Sequence, residues 1–222
     1  MGKVAETPAP PSTWLSTHLR RGILAERGSG LTVSLMLIPA ILGTNLLYES
    51  LNHGPYRIFL ESPPDRALPV VPIFAIPYVS LIPFIVVSLI AFLFLRVRVY
   101  RSAALTMIIV WFISYAFYFF LQSYIARPQI TGTDPFSGMI RSIYASDQPY
   151  NDFPSLHTSL STIIAVHWWR VDRRFGVPAA IWTGLIVAST VLVKQHYVAD
   201  VAGGLVLAGM TSVLVMRVTR AA

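Results

Sequence analysis

Apolar residues run in six blocks along the chain, near 31–48, 71–95, 103–125, 155–169, 176–194 and 197–216, and polar residues collect between them. About 20 apolar helical residues cross a hydrocarbon core, so the pattern predicts an all-α polytopic membrane protein with six transmembrane helices. The fourth block is short, and the fifth and sixth are parted only by Lys194, Gln195 and His196. Merged, these two would form a helix about twice the length needed to cross a bilayer, so a tight turn is expected at His196. Before the first block, Trp14, Leu15, Leu19, Ile23 and Leu24 recur at helical spacing beside Arg20 and Arg21. This predicts an interfacial helix within a cytoplasmic N-terminal segment, 1–29, followed by a single membrane domain, 30–217. The two longer connections, near 49–70 and 126–154, carry Pro63, Pro64, Asp65 and Pro69, and Gly132, Asp134, Pro135 and Gly138, and are read as irregular loops.

Basic residues give the six blocks a direction. With the N-terminus inside, Lys3, Arg20, Arg21, Arg27, Arg96, Arg98, Arg101, Arg170, Arg173, Arg174, Arg217 and Arg220 fall in cytoplasmic segments. Only Arg57, Arg66, Arg127, Arg141 and Lys194 fall outside. Lysine and arginine accumulate on the cytoplasmic side of membrane proteins, so both termini are expected in the cytoplasm. That topology carries Arg127, His157, Lys194, His196 and Asp200, which are far apart in sequence, to one outer membrane face.

Composition narrows the chemistry. The chain is 55% hydrophobic and 12% charged, with no cysteine among its 222 residues, which removes disulfides, thiolate metal sites and cysteine nucleophiles. The net charge of +7 is spread between apolar runs rather than gathered on one polar face, so no nucleic-acid partner is expected.

What remains is a small set of polar residues at the edges of apolar helices. Pro154 suits the start of a helix and places His157 in its first turn. His196 and Asp200 are four residues apart, so on a helix the carboxylate could hold one imidazole nitrogen and leave the other free. A histidine held in this way can attack phosphorus, with His157 as proton donor and acceptor. Arg127 and Lys194 could neutralise phosphoryl oxygens, and Ser155 with the N-terminus of the fourth helix adds donors. Other readings stay beside this one. His157 could be ordinary helix-start chemistry, and His196 with Asp200 a structural polar pair. Lys194 could snorkel to headgroups. His18, His53 and His167 read as boundary residues, and Asp152 as a loop residue. The run Trp111, Phe112, Tyr115, Phe117, Tyr118, Phe119 and Phe120 reads as lipid-facing or packing surface. Zinc needs three or four ligands, and Asp200 is better used on His196, so neither metal nor cofactor is expected.

The ordered pieces Arg127-Pro128, Pro154-Ser155-Leu156-His157 and His196 with Asp200 resemble the three motifs of the type 2 phosphatidic acid phosphatase superfamily, over roughly residues 103 to 210. The resemblance implies His196 as nucleophile, Asp200 as its orienting carboxylate, His157 as general acid, and Arg127 and Ser155 as phosphate binders. Three positions depart from the motifs. Phe120 stands where a lysine usually opens the first, Leu156 replaces a glycine, and Thr190, after the matching Ser189, replaces an arginine. Two phosphate-clamping cations are therefore missing, and Lys194 is the available substitute. The wording Phe-Pro-Ser-Leu-His with Lys-Gln-His-Tyr looks like the branch containing inositol phosphorylceramide synthase. The expected function is a lipid phosphatase acting on a lipid phosphate or prenyl diphosphate through a phosphohistidine. The alternatives are a lipid phosphotransferase, moving a phospho-headgroup to a lipid hydroxyl, and a non-catalytic lipid-binding protein. A compact chain of this kind suits a bacterial inner membrane, with the site toward the periplasm or exterior.

Overall fold

The computed structural model describes residues 21–221. Most of the expected interfacial helix, including Trp14, Leu15 and Leu19, lies outside the described residues, as does His18; Ile23–Ala25 form a single 3-10 turn. Among the described residues the fold is helical, with two isolated β-bridges and no strand. The helices are α1 (Ser29–Leu51), α2 (Pro63–Ala67), α3 (Ala75–Val79), α4 (Leu81–Leu95), α5 (Val97–Phe120), α6 (Pro135–Ser146), α7 (Leu156–Val171), α8 (Arg173–Leu192) and α9 (Val198–Ala221).

Among the described residues, five stretches are long and apolar enough to cross a membrane: Ser29–Leu51, Pro72–Leu95, Val97–Phe120, Arg173–Leu192 and Val198–Thr219. The second is broken at Ser80, between α3 and α4. Pro83 in the first turn of α4 has no N–H to offer the Val79 carbonyl one turn earlier, and at the break itself Ser80 Oγ donates to the Pro77 carbonyl at 2.7 Å. The remaining expected span is α7, whose 16 residues rise only about 24 Å.

The placement of α7 accounts for its short, polar sequence, because α4, α5, α8 and α9 all pack against it. Trp169 alone among its residues is exposed. Its jacket buries Phe92, Met107, Val110, Ile163, Ile164 and Ile186 completely, while Leu46, Val87, Ile181 and Met210 face outward from the surrounding helices. Apolar lipid gives such helices little reason to associate by hydrophobicity alone, so close approach of small residues and interhelical hydrogen bonds carry more of the specificity. Both occur here. Ser159 Oγ donates to the Gly204 carbonyl at 3.1 Å, joining α7 to α9, and Thr183 Oγ1 donates to the Ser161 carbonyl at 3.0 Å, joining α8 to α7. His167, read from sequence as a boundary residue, is fully buried within the bundle. Its Nδ1 lies 2.8 Å from the Ile163 carbonyl and its Nε2 3.1 Å from Ser102 Oγ.

Both connections read as irregular contain helix. In the second, Asp134 accepts from the N–H groups of Phe136 and Ser137, each at 3.0 Å, and Pro135 occupies the first helical position of α6. In the first, Ser62 and Asp65 form a reciprocal capping box around α2. Asp65 also reaches across the fold: its Oδ1 accepts from Val198 N–H at 2.8 Å and so caps the N-terminus of α9.

A seam at the end of α5 determines where α7 begins. Gln122 exchanges hydrogen bonds with Asn151 (Nε2 to Oδ1 at 2.9 Å, Asn151 N–H to Oε1 at 2.9 Å) and donates to the Leu51 carbonyl at 2.6 Å. Ser123 Oγ accepts from the N–H groups of Asp152 and Phe153 at 2.9 and 2.8 Å, and Tyr118 donates to the Pro154 carbonyl at 3.0 Å. Asn151 adopts φ 59°, a left-handed conformation that asparagine tolerates better than most residues. From α9, the Asp200 carbonyl accepts the Ser155 N–H at 3.1 Å.

The close contact between α7 and α9 gives a direct test. A Cβ on Gly204 would stand 2.7 Å from the Ser155 carbonyl oxygen, so Gly204→Ala should cost about 1–3 kcal/mol as overpacking. The measured outcome is a lower melting temperature in detergent together with reduced turnover. Gly184→Ala, which meets nothing within 4 Å, should leave both unchanged.

Candidate active site

The seam and the α9 contact bring four of the sequence-predicted residues, Ser155, His157, His196 and Asp200, together at one end of the bundle. Ser155 is the N-cap of α7, accepting the Thr158 N–H at 3.3 Å. The helix therefore begins at Leu156, two residues later than Pro154 suggested, and His157 lies in its first turn as expected. The His157 ring stacks on Tyr78, with centroids 4.1 Å apart and planes at 18°, and its centroid lies 6.0 Å from that of His196. His196 belongs to the turn between α8 and α9, where its N–H and that of Gln195 both donate to the Thr190 carbonyl, at 3.0 and 2.9 Å.

His196 and Asp200 do not share one helix. His196 precedes α9 and Asp200 sits in its first turn, where Oδ2 accepts the Tyr197 N–H at 2.8 Å. The positive end of α9 favours a carboxylate there. His196 Nδ1 lies 3.7 Å from Asp200 Oδ2, and both Nδ1 and Asp200 Oδ1 are buried without another partner. The carboxylate can thus hold the Nδ1 side of the ring and leave Nε2 available.

The two expected cations are engaged elsewhere. Arg127 lies in the extended connection after α5. It donates through Nη1 to the carbonyls of Asp147 (2.6 Å) and Tyr144 (3.4 Å), and through Nη2 to Gln195 Oε1 (2.7 Å) and the Gln148 carbonyl (3.2 Å). Its Nε is buried without a partner, and its guanidinium stands over the Tyr144 ring at 5.0 Å. A guanidinium has five N–H donors, so little of Arg127 is left for a ligand. Its charge also stands 4.0 Å from the Asp147 carboxylate. Lys194, at φ 53°, donates through Nζ to the Asp65 carbonyl at 2.6 Å. Neither residue lines the cavity on which the histidines open.

That cavity, about 170 Å³, is bounded by His157, His196, Gln195 and a wall from α1, α3, α5 and the segment before α7. Tyr48, Tyr78, Trp111, Tyr118, Asp147 and Asp152 line it. The aromatic run of α5 is therefore divided: Phe112, Phe119 and Phe120 face outward, while Trp111 and Tyr118 turn inward to the cavity. Asp152, read as a loop residue, is 3% exposed and its Oδ2 has no partner. Burial, reinforced by the nearby Asp200 charge, pushes its carboxyl well above the usual range. Burial also raises Asp147, against the opposing pull of Arg127. Gln195 presents a buried Nε2 with no partner, a donor that the sequence reading left unassigned. Its place directly before His196 was the only signal for it, and Tyr48 and Tyr78 gave none. Among the described residues no group of three or more histidine, aspartate or glutamate side chains is placed to hold a metal ion.

Comparison with known families matches residues 66–214 to the PAP2 superfamily. The chain belongs to the PAP2 superfamily. Members are in general phosphoesterases or phosphotransferases, and the matched region runs from α2 to near the end of α9, so it contains all six predicted site residues. No curated protein and no solved structure matches the chain.

The position of Lys194 separates two roles. If its task is to strap the α8–α9 turn to Asp65, Lys194→Met should lower the melting temperature, since hydrogen bonds to charged groups contribute roughly 1.5–3 kcal/mol. The Michaelis constant for the lipid should move by less than about threefold, well under 1 kcal/mol. A large rise in that constant with unchanged stability would return Lys194 to the phosphate.

Proposed function

We propose that this PAP2 protein displaces a group at phosphorus on a membrane lipid through a phosphohistidine on His196. The observation that carries the reading is the meeting of His157 and His196 on one cavity, ring centroids 6.0 Å apart, with the buried Asp200 carboxylate behind His196, 3.7 Å from its Nδ1. In the first step His196 Nε2 forms the N–P bond as the P–O bond to the lipid breaks, and protonated His157 gives its proton to the departing alkoxide. In the second, an acceptor hydroxyl attacks phosphorus, its proton passes to His157, and the N–P bond breaks to restore His196. Ser155 and the first-turn N–H groups of α7, which helix geometry leaves without intrahelical partners, serve the phosphoryl oxygens. Arg127 contributes a screened positive charge and fixes Gln195.

With water as acceptor the enzyme is a lipid phosphatase, acting on a lipid phosphate or prenyl diphosphate. With a lipid hydroxyl as acceptor it is a phosphotransferase of the kind the inositol phosphorylceramide synthase branch contains. One observation favours the second reading: Arg127 and Lys194 are occupied by protein groups, so the site is short of free cations for a doubly charged phosphate monoester. The membrane domain, residues 30–217, crosses the bilayer six times when α7 is counted inside its jacket. Both termini then lie in the cytoplasm of a bacterial inner membrane and the site faces the periplasm or exterior.

Two measurements test the chemistry. His196→Ala and His157→Ala should each lower turnover by at least about 10²–10⁴-fold while the protein still inserts and folds; a variant keeping most of its turnover would remove that histidine from its role. Wild-type protein given a lipid labelled at phosphorus should trap acid-labile, alkali-stable label, absent in His196→Ala, and EDTA should leave turnover unchanged. Asp200→Asn should slow the covalent step more than it weakens lipid binding, whereas an unaltered rate would end its orienting role.

A further inference from the structure

We infer that the cavity beside the two histidines receives the cationic end of a zwitterionic phosphodiester headgroup, an ammonium or trimethylammonium group. This deepens the phosphotransfer reading above and rests on it, since it names the lipid class from which His196 would take phosphorus. Three features point to a cation. The first is the aromatic lining: Tyr48, Tyr78, Trp111 and Tyr118 come from three different helices and converge on one space. Aromatic faces attract ammonium ions, and such cages recognise quaternary ammonium groups. The Tyr78 ring is held by its stack on His157, and Tyr48 and Tyr118 pack edge to face with centroids 6.4 Å apart.

The second feature is charge. The lining contains no lysine or arginine but two acids, Asp147 and Asp152. Asp147 Oδ1 accepts from Asn52 at 2.6 Å and from Tyr48 at 3.2 Å. Asp152 is different, because its backbone N–H is fixed by Ser123 while Oδ2, in a side chain 3% exposed, meets nothing. A buried carboxyl oxygen without a partner is costly, and a positive ligand is the partner it lacks. Burial holds both carboxyls above their usual range, and an arriving cation supplies the counter-charge that would let them ionise.

The third is size and reach. The cavity is about 170 Å³, comparable with the roughly 150 Å³ at which a protein cavity accepts a benzene-sized molecule. It extends along α5 from Tyr118 to Trp111, seven residues or about 10 Å of helix. Both histidines stand in its wall. A phosphodiester whose phosphorus lies between the rings can therefore send its short aminoalkyl arm inward and leave its acyl chains in the bilayer. A phosphate monoester would bring two negative charges toward Asp147 and Asp152 and put nothing in the cage.

The test uses full-length protein in mixed micelles with four lipids of identical acyl chains: phosphatidylethanolamine, phosphatidylcholine, phosphatidylglycerol and phosphatidate. Diacylglycerol and water-soluble phosphorus are both followed, with and without a lipid alcohol as acceptor. The expected result is a kcat/KM for the two zwitterionic lipids about tenfold or more above the two anionic ones. That ratio should collapse in Asp152→Asn and in Trp111→Leu. Because asparagine keeps the shape of Asp152 without a buried acid, the Asn variant should melt no lower than the parent, which distinguishes lost recognition from lost folding. In parallel, His196→Ala protein is dialysed against labelled phosphocholine. Retained label that tetramethylammonium displaces and glycerol phosphate does not would support the cage even if no lipid is turned over, in which case the catalytic reading alone fails. Preference for phosphatidate or phosphatidylglycerol, with label trapped on His196, would overturn the cationic cage and leave the phosphohistidine standing. Phosphocholine that does not bind would overturn it as well.

Discussion

The structure depends on a seam of hydrogen bonds, most of them between a side chain and the backbone, that joins the end of α5, the segment 151–155 and the first turn of α9. Ser123 holds two successive N–H groups, Gln122 clasps Asn151, Tyr118 holds the Pro154 carbonyl and the Asp200 carbonyl holds Ser155. Most of these bonds end on backbone atoms, so they fix where α7 begins rather than how one side chain points. Since His157 is the second residue of that helix and Asp200 stands beside His196, the seam sets the distance between the two rings. In a low-dielectric interior each bond is strong and each unmade one is costly.

The candidate reaction residues and the other cavity residues differ in how far the sequence exposed them. His157, His196 and Asp200 were legible because ionisable residues bordering apolar helices are rare and their spacing is short. The turn that separates α8 from α9 followed from length alone. Asp152 was not legible: an aspartate two residues before a proline looks like turn chemistry, and only the folding of Ser123 over its N–H buries it. Trp111 and Tyr118 were hidden for the opposite reason, since seven aromatics within ten residues present every direction of a helix and periodicity cannot say which face meets a cavity. For α6 the signal was present and was misread: Asp134 followed by Pro135 is a helix start, and Gly132 and Gly138 disguised it as loop. Lys194 seemed a free cation because proximity in sequence to His196 says nothing of Asp65, which lies 129 positions away.

The charge arrangement inverts what a phosphate site usually offers. Positive groups are spent on architecture: Arg127 joins the connection before α7 to the α8–α9 turn, and Lys194 joins that turn to the first loop. Acidic groups line the cavity instead. In the proposed mechanism, recognition of phosphorus falls to backbone N–H groups, to Ser155 and to Gln195, which are neutral donors with fixed directions. Neutral donors bind a singly charged diester with less penalty than they bind a dianion, because each added charge needs its own compensation.

The capping of α9 by Asp65 has an effect on how the protein can change over time. The Asp65 carboxylate, one residue before the family-matched region, holds the N-terminus on which Asp200 sits, and Tyr48 with the rest of α1 also lies before that region. The cap of α9 and one wall of the cavity therefore both belong to sequence outside the family match, whereas His157, His196 and Asp200 lie inside it. Changes in α1 can therefore remodel one wall of the cavity without touching the histidines.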